Sequence, residues 1–263
     1  MPVATDSADL LAFAHELADA AGEVLRRYYR APVEVAYKAD ESPVTTADRE
    51  AEWRMRDLIA ARFPDHGIEG EEFASEHGDA ELVWCLDPID GTKAFVIGRP
   101  SFGTLISLLR NGQPELGIID QPILRERWVG ALGAASTFNQ AAIHARPCPE
   151  LAHAVLCTTS PQMFATALEQ AAFARVEQEV RFPVYGGDCY AYGLLAMGFA
   201  DLVIEANLQL HDFAALVPVV EGAGGVMTDW EGRPLAAGSD GCVIAAGDRR
   251  VHAQALELIT RAA

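Results

Sequence analysis

Asp87 and Asp90, set on either side of Pro88-Ile89 and followed at once by Gly91-Thr92, are the residues of this chain best placed for chemistry. Two carboxylates held across a proline turn can converge on one point, and hard divalent cations take oxygen ligands of this kind. Gly91 and Thr92 then present backbone N–H groups to the same space, which suits phosphate oxygens. Asp-Pro and Asp-Gly are also common turn formers, so the motif taken alone reads first as a turn. Further acids at the ends of other elements shift the balance toward chemistry.

Asp48 stands in the first turn of a helix expected over 47–62, where a carboxylate also simply suits the helix dipole. Glu71 lies in Gly70-Glu71-Glu72, adjacent acids that point apart, so one can face inward; a solvated loop is the plainer alternative. Asp212, after His211, begins another helix. With Asp87 and Asp90 these acids could hold two or more cations. The histidines and cysteines lack matching metal spacing, which favours Mg²⁺ or Mn²⁺ over zinc.

The elements that must position these residues follow from periodicity. An apolar run over 81–86 suits a buried strand, and Pro88, which has no N–H, is expected to end it. Leu10, Ala14, Leu17, Ala21 and Leu25 recur at helical spacing in a helix that Asp6 or Ser7 can cap and Pro32 stops. A short strand over 33–37 follows. Segments 101–110, 113–120 and 127–131 read as an antiparallel meander, with Asn111-Gly112 as a two-residue hairpin turn. Gly117 and Gly130 inside those strands imply bulges or a close backbone approach.

Beyond a polar, proline-marked stretch at 134–149, strands at 155–158, 182–185, 201–206, 226–228 and 242–246 alternate with helices. Helices are expected from Pro161 to about Val176, from Asp188 to Gly198, from His211 to Gly222 with a kink at Pro218, and from Arg249 to Arg261. The pattern is α/β, in two halves, 1–145, which carries the candidate metal-binding loops, and 146–263, packed as one compact unit.

A chain of 263 residues that is 50% apolar can bury a sizeable core. A net charge of −18 without a run of Lys or Arg argues against a nucleic-acid or anionic-membrane partner and for a small soluble substrate. Were that substrate a phosphate anion, bound cations would be needed to make the site attractive. Five scattered cysteines imply reduced thiols, and no apolar run reaches ~18 residues, so the expected location is the cytoplasm.

Gly70-Glu71-Glu72, Asp87 through Thr92, and His211-Asp212 followed by Glu221-Gly222-Ala223-Gly224-Gly225 resemble, in order and over nearly the whole chain, the inositol monophosphatase family of Mg²⁺-dependent phosphatases. Phe95 to Pro100, Phe102-Gly103-Thr104-Leu105 and Ile119-Asp120-Gln121-Pro122 look most like its histidinol-phosphate phosphatase branch. The resemblance implies a layered α-β-α-β-α sandwich of the inositol monophosphatase/fructose-1,6-bisphosphatase type, a homodimer, and hydrolysis of a small phosphate monoester by direct attack of water. It further implies ligation of two or three Mg²⁺ ions, or Mn²⁺, by Glu71, Asp87, the Ile89 carbonyl, Asp90 and Asp212. Asp48 with Thr92 would orient the attacking water, with Asp48, Glu71 and Thr92 as the catalytic set, while Asp90, Gly91 and Thr92 hold the phosphate.

Gly187, Asp188, Glu205 and Asn207 match positions that the family uses around the alcohol part of the substrate. Asp188 or Glu205 could pair there with a cationic amine; helix capping and a strand-end surface acid are the respective alternatives. Lys38 resembles a family lysine near the metal loop. His211 stands where a tryptophan is common, and Gly187-Asp188 where Ser-Ala is frequent; both departures bear on the substrate pocket. L-Histidinol phosphate is the expected substrate. The alternatives are inositol-1-phosphate, fructose-1,6-bisphosphate, 3′-phosphoadenosine 5′-phosphate, or a catalytically silent metal- or phosphate-binding regulator.

Overall fold

The computed structural model of the chain describes residues 7–31, 35–37 and 43–261. Asp6, Pro32, Val33 and Lys38 lie outside the described residues. The first half contains α1 (Ser7–Tyr28), β1 (Val35–Tyr37), β2 (Pro43–Thr45), α2 (Thr46–Arg62), β3 (Gly67–Gly70), β4 (Leu82–Asp90) and α3 (Thr92–Val96). A meander follows in β5 (Gly103–Arg110), β6 (Gln113–Gln121), β7 (Glu126–Ala131), β8 (Thr137–Phe138) and β9 (Ala141–Ala142). The remainder is β10 (Val155–Thr158), α4 (Ala167–Glu177), β11 (Phe182–Tyr185), α5 (Asp188–Ala196), β12 (Leu202–Glu205), α6 (Leu210–Phe213), α7 (Leu216–Gly222), β13 (Val226–Thr228), β14 (Val243–Ala246) and α8 (Arg249–Thr260).

Strands β3 to β9 form one sheet in sequence order, and a second runs β11-β10-β12-β14-β13. Side-chain alternation along the strands turns these into layers. Trp84, Leu86, Ile106 and Ile118 face a core shared with Leu17 and Leu25 of α1 and Met55 and Ile59 of α2. The opposite face of the same sheet puts Leu105, Ile119 and Trp128 against Tyr192 of α5 and Leu216 and Val219 of α7, which also meet Val203 and Val243 of the second sheet. Leu202, Ile204 and Ile244 then cover Phe173 of α4 and Val251 and Ala255 of α8. The result is the expected α-β-α-β-α sandwich. A one-residue slip in any central strand would exchange two filled cores, so register is strongly specified. A Cβ at Gly117 would fall 2.0 Å from the Ala215 carbonyl and one at Gly130 2.2 Å from that of Pro218, so these glycines let α7 lie against the sheet backbone.

Asn111 and Gly112 both have positive φ, 50° and 77°, as the two-residue hairpin requires. Three other boundaries differ from expectation. Strand β4 does not end before Pro88 but runs on to Asp90, with a register shift between Asp87 and Asp90. The missing N–H of Pro88 falls inside this bulge, where no ladder bond is required, and buried Thr104 donates its hydroxyl to the Pro88 carbonyl at 2.9 Å. Residues 161–163 make only a 3₁₀ turn, and α4 starts at Ala167 because Thr166 and Glu169 cap it reciprocally. Two helices, α6 and α7, replace the single kinked one. Pro218 lies in the first turn of α7, where an N–H would have no intrahelical partner anyway.

Among the described residues no helix is long and apolar enough to cross a membrane. All five cysteines are unpaired.

Candidate active site

The β4 bulge aims Asp87 and Asp90 at the start of α6, so that oxygens of Asp87, Asp90 and Asp212 lie within 4.8 Å of one another. Each accepts a backbone N–H. The Ile89 N–H donates to Asp87 Oδ1 at 2.9 Å. The Cys189 N–H, in the first turn of α5, donates to Asp90 Oδ2. The Gln209 N–H donates to Asp212 Oδ2 at 2.6 Å, with His211 Nε2 3.6 Å from the other oxygen. Burial pushes Asp87 well above the usual carboxylate range, and Glu71, Asp90 and Asp212 add to the rise. Burial does the same to Asp90, with Asp188 and Asp212 adding to it. Crowded carboxylates that offer oxygen donors alone fit a hard divalent cation.

Asp48 forms the second part of the site. Thr45, the N-cap of α2, donates its N–H at 2.7 Å and its hydroxyl at 2.6 Å to Asp48 Oδ2. Oδ1 is left facing Thr92, whose Oγ1 lies 3.4 Å from it and 3.1 Å from the Ile89 carbonyl. The single hydroxyl proton can go to only one of these acceptors at a time. Burial pushes Asp48 up to about 6; the Thr45 hydrogen bonds oppose the rise, and Glu72 and Glu71 add to it.

Glu71 stands outside the tight trio but within hydrogen-bond contact of Asp87, and its N–H donates to the Leu86 carbonyl at 3.2 Å. Gly91, at φ 85°, opens α3 with no side-chain cap. A Cβ there would meet the Asp188 carboxyl at 3.0 Å. Asp188 itself sits at φ 47°. Burial pushes it up to about 6, opposed by the charges of Arg99 and Lys93. Gly187 precedes it as the residue before α5.

Glu205 is buried at the end of β12 with both oxygens engaged, one by the Thr159 N–H at 2.8 Å and the other by the Tyr192 hydroxyl at 2.9 Å. Burial pushes it up to about 7. Asn207 instead turns its amide to the Met163 carbonyl at 2.8 Å. Residues near Asp87 and Asp90 in sequence and those at the starts of α2, α5 and α6 are thus brought together, whereas Glu205 lies behind Tyr192 and Asn207 braces a neighbouring turn. Glu52, fully buried on α2, went unnoticed in the sequence. The available signal was Asp48, Glu52 and Arg56 at four-residue spacing on one face of α2, charges where the helix otherwise buries Ala51, Met55 and Ile59.

The layering and the all-oxygen cluster at a bulged strand end are those of a metal-dependent phosphatase. The profile of the inositol monophosphatase family matches residues 6–263, and the chain belongs to that family. It is 51% identical over 255 residues to the bifunctional phosphatase IMPL2, chloroplastic, of Arabidopsis thaliana, covering 94% of this chain and 73% of that protein. To the histidinol-phosphatase of Chlorobaculum parvum it is 33% identical over 236 residues, 89% of this chain and 91% of the relative. The solved inositol monophosphatase from Zymomonas mobilis superposes with a TM-score of 0.90 at 49% identity, covering 98% of this chain and all of that one. The chain is accordingly a phosphoric monoester hydrolase.

Proposed function

We propose that this enzyme hydrolyses L-histidinol phosphate to L-histidinol and phosphate. The convergence of Asp87, Asp90 and Asp212 within 4.8 Å carries the chemistry. Together with Glu71 and the Ile89 carbonyl they would hold two or three Mg²⁺ ions, with Mn²⁺ as a substitute. Such cations, when bound, lower the pKa of a water and offset charge on the leaving alkoxide. Asp48 Oδ1 accepts a proton from the attacking water while the Thr92 hydroxyl fixes its orientation. The N–H groups of Gly91 and Thr92 hold the phosphate oxygens as charge develops on them.

Asp188 supports the choice of substrate. Its carboxyl, packed against Gly91 at the edge of the cation cluster, can pair with the ammonium group of histidinol, whereas an inositol hydroxyl is a weaker partner for it. Gly187 stands next to Asp188 at the start of α5, packed on Ala191, Glu205 holds Tyr192 and Thr159, and Asn207 braces the adjoining turn. Relatives named histidinol-phosphatase agree with this reading. Inositol-1-phosphate is the second reading, favoured by the neighbour described as an inositol monophosphatase. A homodimer is supported by edge strand β11, which exposes Phe182, Val184 and Tyr185. Unpaired cysteines and the charge of −18 support a cytoplasmic enzyme with no nucleic-acid partner.

Phosphate release from both substrates in Mg²⁺ tests this. Asp90→Asn is expected to lose turnover on both. Asp188→Asn is expected to lose about 10- to 100-fold in kcat/KM on histidinol phosphate, the size of one charge-assisted hydrogen bond, and far less on inositol phosphate. A wild-type preference for inositol phosphate would transfer the assignment to the second reading. Turnover retained by Asp90→Asn would sink the cation site.

A further inference from the structure

We infer that Glu52, paired with Arg56, is a positioning residue that holds the Glu71–Glu72 loop in its cation-binding shape and thereby sets cation affinity. The inference rests on the reading of Glu71 as a cation ligand. Glu52 lies outside the trio of Asp87, Asp90 and Asp212. Its carboxylate instead accepts the Glu72 N–H at 2.7 Å and the Phe73 N–H at 3.3 Å. Arg56 closes the clamp from the other side. Its Nε donates to Glu52 at 2.8 Å, a second nitrogen donates to the Phe73 carbonyl at 3.0 Å, and the third meets Glu76 at 2.9 Å.

Gly70 shows how closely the loop is pressed onto this pair. A Cβ there would fall 2.0 Å from Glu52 Oε1 and 2.7 Å from the Arg56 guanidinium. On its far flank the loop is tied to β4 by the Glu71 N–H and the Leu86 carbonyl. Glu71 is therefore fixed between a clamp on α2 and the strand that carries Asp87. Because Asp48 lies one helical turn before Glu52, a single rigid helix sets both the water-orienting carboxylate and the loop.

A purely structural role is the competing account. Glu52 is fully buried and Arg56 nearly so, and a buried ion pair is seldom more stabilising than apolar side chains of similar volume. Its distinguishing property here is that its hydrogen bonds end on the backbone of the loop rather than on the core. Partners that orient a metal's ligands typically change affinity by about 10- to 100-fold when removed.

The test is titration of the metal-free protein with Mn²⁺ alone, followed by calorimetry, for wild type, Glu52→Gln and Gly70→Ala. The second variant displaces the carboxylate without deleting a charge. Both are expected to bind Mn²⁺ about 10- to 100-fold more weakly. Both should also show faster hydrogen exchange at the Glu72 and Phe73 amides, and regain turnover as cation concentration rises. If Glu52→Gln fails to fold, the double variant Glu52→Met/Arg56→Met keeps the volume filled and is expected to show the same weakening. Mn²⁺ affinity within twofold of wild type in the folded variants would overturn the inference and leave the phosphatase reading intact. Absence of saturable Mn²⁺ binding by the wild type would overturn the cation reading itself, and this inference with it.

Discussion

Replacing Glu205 with glutamine isolates the free energy of a carboxylate buried with no cationic partner among the described residues. Its pKa rises from the ordinary 4.5 to about 7, with burial as the main cause and the Thr159 and Tyr192 hydrogen bonds opposing it. A tenfold change in an ionisation constant is worth ~1.4 kcal/mol, so the ionised folded state is disfavoured by about 3 kcal/mol. The sign follows from proton counting. Between pH 4.5 and about 7 the folded chain keeps a proton that the unfolded chain has released, so stability falls as pH rises through this window and then levels off. Glutamine has no proton to lose and can still accept from the Thr159 N–H. Urea unfolding of both proteins in chelator, from pH 4 to 8.5, should give a variant-minus-wild-type difference that grows toward stabilisation by up to about 3 kcal/mol. A difference that stays flat with pH, or turns against the variant at high pH, would show that Thr159 and Tyr192 fully support the charge and would refute the reasoning.

Two further substitutions probe the site and its support. Gly91→Ala places a Cβ at φ 85° and 3.0 Å from the Asp188 carboxyl, so a loss of about 1–2 kcal/mol from the left-handed backbone is expected together with a fall in kcat/KM. Thermal unfolding and phosphate release check the two parts separately. Asp120→Asn weakens the 2.6 Å pair with Arg127 between β6 and β7, but Arg127 keeps its 2.8 Å pair with Asp19 and burial already disfavours the Asp120 charge, so a loss of only about 1 kcal/mol is expected, with kcat unchanged. Denaturant midpoints compared with turnover at saturating substrate decide that case.

Residue types and periods alone determined the kind of layer each segment joins and the class of chemistry. Strand alternation through Trp84, Leu86, Ile106 and Ile118 states which side chains share a face, because the strand period is two whatever lies beyond it. Carboxylates in a bulge-forming Asp-Pro-Ile-Asp-Gly-Thr run state a preference for hard cations, because ligand chemistry is local. Tertiary structure alone decided the rest. Asp212 meets Asp87 and Asp90 only because α6 packs on β4 and β5, and Thr104 carries the strand through Pro88 only from the neighbouring strand. Glu52 went unnoticed in the sequence and proves to be a buried clamp, while Glu205, expected to face the substrate or else the solvent, proves to be enclosed by Thr159 and Tyr192. What a carboxylate does depends on which groups surround it and how much water they exclude, and both depend on residues distant in the chain.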